Sequence, residues 1–476
     1  MAIPRVAIVA VGHAIYFTQF EGLKEELMLK SDLFMQYLDQ YSIWTQYFGY
    51  VDTVDTAIEC VQKIKREDPD LLFIIMSTYV PSAIVAPFIL HIQTPHVLVG
   101  IQPLEHLDYA NTTTYMQLVN DDICAMPEVA GVYDRLGRRI PEMIIASSAQ
   151  QKIIEKQVGQ IIRAVSAMTA FKYTKIGYLG HTYEGMYDMH TDPTAFTRDL
   201  GAHVQMLEMC ELARYVDEAK PYEIQQRIDE IENIFDIQEP SQDPLTDYVH
   251  REDLIWSATL SIALDKLVER NCLSALAYYY KGENGNRYEQ IASGLIIGNT
   301  LLTSKGIPLA GEADLKTAAA MLIMKHLGGG GSFAEIHPFD TRDDIVLVGH
   351  DGPHNISISE GKPILRKLKK YHGKAGEGIG VEFSIKAGPV TLLSMSVNRL
   401  GRMRLVAASG LSIRGAIPQT GNTNTRVKFD MPVTEFLKQW CSAAPTHHFA
   451  LGIGNHIDEL RLFAKFVGIE LVIIGG

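Results

Sequence analysis

Residues 5–12 read RVAIVAVG, an apolar, β-branched run that ends in glycine. A run of this kind with no polar alternation is a strand buried on both faces. The pattern returns at residues 71–76 (LLFIIM) and 96–100 (HVLVG), with helical stretches near 21–41, 55–67 and 81–90 around them. Strands alternating with helices make βαβ units and a parallel sheet. Ligands bind such sheets beyond the carboxyl ends of the strands. The loops to watch are therefore residues 12–17 (GHAIYF), 77–81 (STYVP) and 102–111.

A long helix near residues 150–171 closes this first pattern, and KIGYL at 175–179 starts it again. The loop that follows, GHTYEGMYDMH, carries His181, Tyr183, Met186 and His190, side chains suited to lining a pocket. Residues 213–239 read as one acidic helical stretch with a solvated face. A helix at 254–271, a strand at 275–280 and a helix at 291–302 complete a second α/β pattern. Beyond it the chain breaks into short strand-like runs at 346–349, 380–385, 390–397, 403–409 and 426–429, separated by Gly, Pro and Asn. Helical periodicity returns only at 433–440 and 457–467. The expectation is an α/β protein with two open parallel-sheet (Rossmann-like) domains, residues 1–173 and 174–327. A C-terminal antiparallel β-barrel domain with appended helices, 328–476, follows them.

A chain of 476 residues is too long for one core, and two to four domains are expected. The net charge of −13 argues against a nucleic-acid or anionic-membrane partner, either of which needs a basic footprint. The five cysteines are scattered and never spaced C-x-x-C, which fits reduced thiols better than a disulfide framework or a zinc site. No stretch approaches the ~20 apolar residues of a membrane span. The chain reads as soluble and cytoplasmic.

The stretch 311–350 concentrates the chemistry. Glu312 precedes a helical run that Asp314 would cap, Glu335 follows four glycines, and His350 follows an apolar strand. Two carboxylates and an imidazole at element ends could form a hard-cation site with acid/base work. Each also has a plain structural reading: Glu312 is a favourable charge at a helix start, and a lone histidine is more often structural than a ligand. The four glycines are no phosphate loop, since no Lys-Ser/Thr follows them. His447 and His448 are adjacent, so on a strand they would point different ways, one free to bind a ligand and the other to pack.

In order and spacing, GEADLKTA, GGGGSFAE, VLVGH and THHFALGIGNHIDELRLFAKFVGIELVI resemble the L-arabinose isomerase family, relatives of L-fucose isomerase. The resemblance implies a cytoplasmic aldose–ketose isomerase with a divalent metal, usually Mn²⁺, with Mg²⁺ or Co²⁺ as substitutes. It implies Glu312, Glu335, His350 and His448 as metal ligands, with the two glutamates also the catalytic acid/base pair. It further implies substrate contacts from His13, Tyr16, Tyr79, Met186, Tyr280, Phe333, Asp351 and His447, and a homohexamer with sites between subunits. His13 stands where those enzymes carry glutamine, Tyr79 where they carry a phenylalanine contributed to a neighbouring subunit, and Asp351 where they usually carry methionine. The pocket is thereby more polar, and L-fucose, D-galactose or a C6-substituted hexose such as sulfoquinovose stand beside L-arabinose as substrates. A non-catalytic sugar-binding protein and a metal-dependent hydrolase or lyase are the readings from other classes.

Overall fold

The computed structural model of the protein describes residues 3–283, 285–370 and 376–475. The chain divides into two compact units, Met1–Thr169 and Ala170–Gly476. The division falls within the helix Gln151–Lys172.

The first unit is built on β1 (Arg5–Val11), β2 (Trp44–Val51), β3 (Leu71–Met76), β4 (His96–Gln102) and β5 (Glu142–Ser147). They form one parallel sheet in the order β2-β1-β3-β4-β5. The strand order turns back on itself at β1, which makes the carboxyl ends of β1 and β3 the crevice of this sheet. Val6 to Val11 and Leu71 to Ile74 are inaccessible to solvent, as unalternated apolar runs require. The sequence reading missed β2, because its half-exposed residues give no apolar face to read, and it missed β5.

The second unit opens with β6 (Lys175–Gly180), β7 (His203–Leu207), β8 (Asp236–Ile237), β9 (Thr246–Asp247), β10 (Ala275–Tyr279) and β11 (Leu309–Ala310). Four of these form a parallel sheet, β11-β10-β6-β7. Two expected helices are each broken. The stretch 213–239 becomes Met209–Asp217 and Pro221–Ile234 and then enters β8; Pro221 has no N–H to continue the first helix and starts the second. The stretch 291–302 becomes Arg287–Ser293 and Ile296–Ser304, parted at Gly294, where a Cβ would meet Leu260 and Trp256.

After these come β12 (Ser332–Asp340), β13 (Ile345–Gly349), β14 (Ile364–Leu368), β15 (Gly378–Glu382), β16 (Gly388–Val397), β17 (Met403–Ile413), β18 (Thr425–Lys428), β19 (Phe449–Ile453) and β20 (Glu470–Ile474). In the order β16-β19-β12-β13-β18-β17, with β17 pairing back onto β16, six of them close an antiparallel barrel. β20 adds in parallel outside it, along β17. β14 and β15 join β8 and β9 in a small mixed sheet. The fold is thus α/β with a C-terminal barrel, and the helices Val433–Ser442 and Ile457–Val467 are its appendages.

The helix Leu315–Leu327 is buried on nearly every side, as its LKTAAAMLIMKHL sequence demands. It packs on β10 of the parallel sheet and on β16 and β19 of the barrel. Gly328, Gly330 and Gly331 then all take positive φ and turn the chain from this helix into β12. No helix among the described residues is long and apolar enough to cross a membrane.

Candidate metal centre

Past β11 the chain makes a tight turn, Gly311–Ala313, before the central helix. Glu312 (φ 56°) and Ala313 (φ 55°) both adopt the left-handed conformation, a strain of about 1–3 kcal/mol each for residues with a Cβ. Two neighbours hold the turn in place. Asp314 Oδ1 accepts from the backbone N–H groups of Lys316 and Thr317 at 3.0 and 3.1 Å, capping the helix. Tyr183 N–H donates to the Glu312 carbonyl at 3.2 Å, tying in the loop after β6. The result is a buried Glu312 side chain in a fixed place.

The barrel brings the other donors. Glu335 on β12 pairs with Gly349, the last residue of β13, which sets His350 beside that carboxylate. Phe333 lies two residues back on the same face of β12. Its ring packs edge-on to His350 (4.6 Å between centroids) and against His448 (4.4 Å). β19 pairs with β12 through Phe449 and Ala334, so His448, one residue earlier, arrives at the same end of the barrel. The expectation that His447 and His448 diverge is not met. They precede β19 instead of lying on it, and their rings stand 3.9 Å apart.

Two triads of possible ligand atoms result, each with all members within 4.8 Å: Glu335, His350 and His448, and Glu312, His447 and His448. His448 Nε2 is buried, faces Glu312 Oε2 at 3.4 Å and makes no hydrogen bond. A buried imidazole nitrogen left in this state, aimed among carboxylates, fits a divalent cation. Carboxylate oxygens with neutral imidazoles suit Mn²⁺ or a similar ion and are not the donor set of a closed structural zinc site.

The electrostatics agree with that donor set. Burial pushes the His448 pKa down, against a hydrogen bond to Asp314 that favours the charged form, so the ring is kept neutral and able to ligate. Its Nδ1 lies 3.3 Å from Asp314 Oδ2, an arrangement that fixes ring orientation. Burial alone would raise the Asp314 pKa, but Lys316 and His448 hold it below the usual carboxylate range. Asp188 is also held low: burial is outweighed by hydrogen bonds from His447, whose own pKa rises in return. His350 Nδ1 lies 2.9 Å from Asp351 Oδ1.

A cavity of about 190 Å³ opens beside the ligands, lined among others by Glu312, His350, Asp351, Tyr183, Tyr279 and Tyr280. Of the expected substrate contacts, Tyr280 and Asp351 line this cavity, while Phe333 is fully buried between the imidazoles. Met186 lies half-buried in the loop after β6, and His447 is bound to Asp188 of the same loop. His13, Tyr16 and Tyr79 gather in the first unit at the carboxyl ends of β1 and β3, with ring centroids 5.1 Å (His13–Tyr16) and 6.4 Å (His13–Tyr79) apart. Sequence reasoning missed Asp188 and His337. His337 was legible: Glu-x-His on one strand puts both side chains on one face, and its Nε2 lies 3.9 Å from Glu335 Oε1. Asp188 had no such signal, since its partner is 259 residues away.

Comparison with known proteins finds similarity over much of the chain. Residues 189–330 match the model of the L-arabinose isomerase central domain. The L-arabinose isomerases of Yersinia enterocolitica, Yersinia pestis and Yersinia pseudotuberculosis are each 25% identical over 345 residues, covering 70% of this chain. The match spans 66% of the length of those relatives. The central-domain match and these relatives both make the chain similar to L-arabinose isomerases.

Proposed function

We propose that this protein is a metal-dependent aldose–ketose isomerase that works through an ene-diol. The observation that carries the reading is the pair of ligand triads joined at His448, which bring in Glu312, Glu335 and His350 beside a cavity. A divalent cation bound by these four, Mn²⁺ or a relative such as Mg²⁺ or Co²⁺, would supply positive charge where the sugar oxygens turn negative. The two glutamates do the proton work. One takes the C2 hydrogen as a proton while the other protonates O1, which gives the ene-diol. The first then returns its proton to C1, and the second accepts the O2 proton, leaving the ketose. Phe333 and the barrel strands keep the imidazoles in place, and the strained turn at Glu312 fixes the Glu312 carboxylate beside His448.

The tyrosines and Asp351 around the cavity suit a polyhydroxylated ligand, and the reading is of an aldose without commitment to one sugar. The test is ketose formation by Mn²⁺-loaded protein across L-arabinose, L-fucose, D-galactose and C6-substituted hexoses including sulfoquinovose. At least one should turn over, and Glu312→Gln or Glu335→Gln should lower kcat by about 10²–10⁴-fold. Full activity in either variant would overturn the mechanism. Aldose binding with no turnover by the unaltered protein would favour a sugar-binding role instead.

A further inference from the structure

Asp188 lies in the loop after β6, and the chemistry above does not use it. Its Oδ2 accepts two hydrogen bonds from one residue, the backbone N–H of His447 at 3.0 Å and the ring Nδ1 at 2.7 Å. The loop is pinned from below by Lys316, whose fully buried ammonium donates to the Met189 carbonyl at 2.7 Å. The same ammonium lies 4.0 Å from Asp314 Oδ1, and Asp314 holds His448 at Nδ1. Two adjacent imidazoles are thus each gripped at Nδ1 by a different aspartate, with one buried lysine between the gripping groups. With Nδ1 occupied, His447 has only Nε2 left to offer toward Glu312 and His448, its partners in the second triad.

We propose that Asp188 is a positioning residue that aims Nε2 of His447 into the site, toward Glu312 and the bound sugar. The proposal rests on the isomerase reading for its kinetic consequence. Its structural content is independent: the ring packs on His448 at 3.9 Å, and the hydrogen bond that Asp188 accepts from Nδ1 sets which edge of it faces the site. A neutral acceptor serves nearly as well as a charged one, because orientation is what Asp188 supplies. Losses of this kind, one residue removed from the reacting groups, run to about 10–100-fold.

The experiment is a double-mutant cycle on the full-length, Mn²⁺-loaded enzyme, with a crystal structure of Asp188→Ala. Asp188→Ala should lower kcat/KM by about 10–100-fold. Asp188→Asn, which keeps an oxygen for the Nδ1 proton, should recover most of it. In a His447→Ala background, Asp188→Ala should cost nothing further, since the partner it acts through is gone. In the variant's crystal structure the His447 ring should have turned. Additive losses in the cycle, or a ring that keeps its direction, would overturn the proposal. If the unaltered protein converts no aldose, the isomerase reading falls by itself, and the ring's direction in the crystal still decides the role of Asp188.

Discussion

His96 sits on β4 with its Nδ1 against the Tyr133 hydroxyl and almost no access to water. Burial, with help from the nearby Arg138 charge, pushes its pKa down to about 3. In the unfolded chain the same ring takes a proton near pH 6.5. Between those values the unfolded state binds a proton that the folded state refuses. The stability this ring contributes is therefore complete above pH 6.5 and is lost as the pH falls toward 3, by about 1.4 kcal/mol per unit. Urea unfolding of His96→Gln should show a shallower acid limb than the parent, and an unchanged slope between pH 6 and 4 would refute the assignment. A sequence can supply such a histidine but not the burial that retunes it. The same holds at the centre: Glu312, Glu335, His350 and His448 were readable from the motifs around them, whereas Asp188 and its hold on His447 exist only once the barrel and the loop after β6 have met.

At the scale of elements, the site depends on how closely the strand ends approach each other. Gly349 ends β13, pairs with Glu335 and precedes His350. A Cβ there would fall 2.4 Å from the Asn422 carbonyl oxygen and 2.6 Å from the Asn424 nitrogen, both backbone atoms that cannot step aside. Gly349→Ala should push His350 out of register with His448, weakening Mn²⁺ binding at least tenfold by calorimetric titration and destabilising the fold by about 1–3 kcal/mol. Unaltered Mn²⁺ affinity would mean that the junction is slack. Elements differed in how well their sequences announced them. Strands with unbroken apolar runs, such as β1 and β3, were plain, and so was the central helix. β12 was not, because GSFAEIHPFD carries Glu335, His337 and Pro338 where a strand would show apolar alternation. The break at Pro221 was in plain view, and the acidic periodicity on both sides of it concealed two helices as one.

For the whole molecule, each unit has its own apolar core. In the first it runs through β1, β3 and their helices, and in the second it extends from the helix Pro221–Ile234 and β14 into the barrel. All the candidate metal ligands belong to the second unit. Scanning calorimetry should therefore resolve a transition that Mn²⁺ raises and a chelator lowers, beside one that neither moves. Metal at a hundred times its Kd should add about 2.7 kcal/mol to the responsive unit alone. A uniform shift of the entire trace would show that the units melt as one. The architecture was the most legible level of all, because a change from helix-alternating to strand-only patterning survives errors in individual elements.

His448 is shared by both ligand triads. A carboxylate can bridge two cations, but a neutral imidazole has one lone pair to give, and here its other nitrogen faces Asp314. The two triads would therefore meet in one coordination sphere, with His448 giving its single lone pair to one ion.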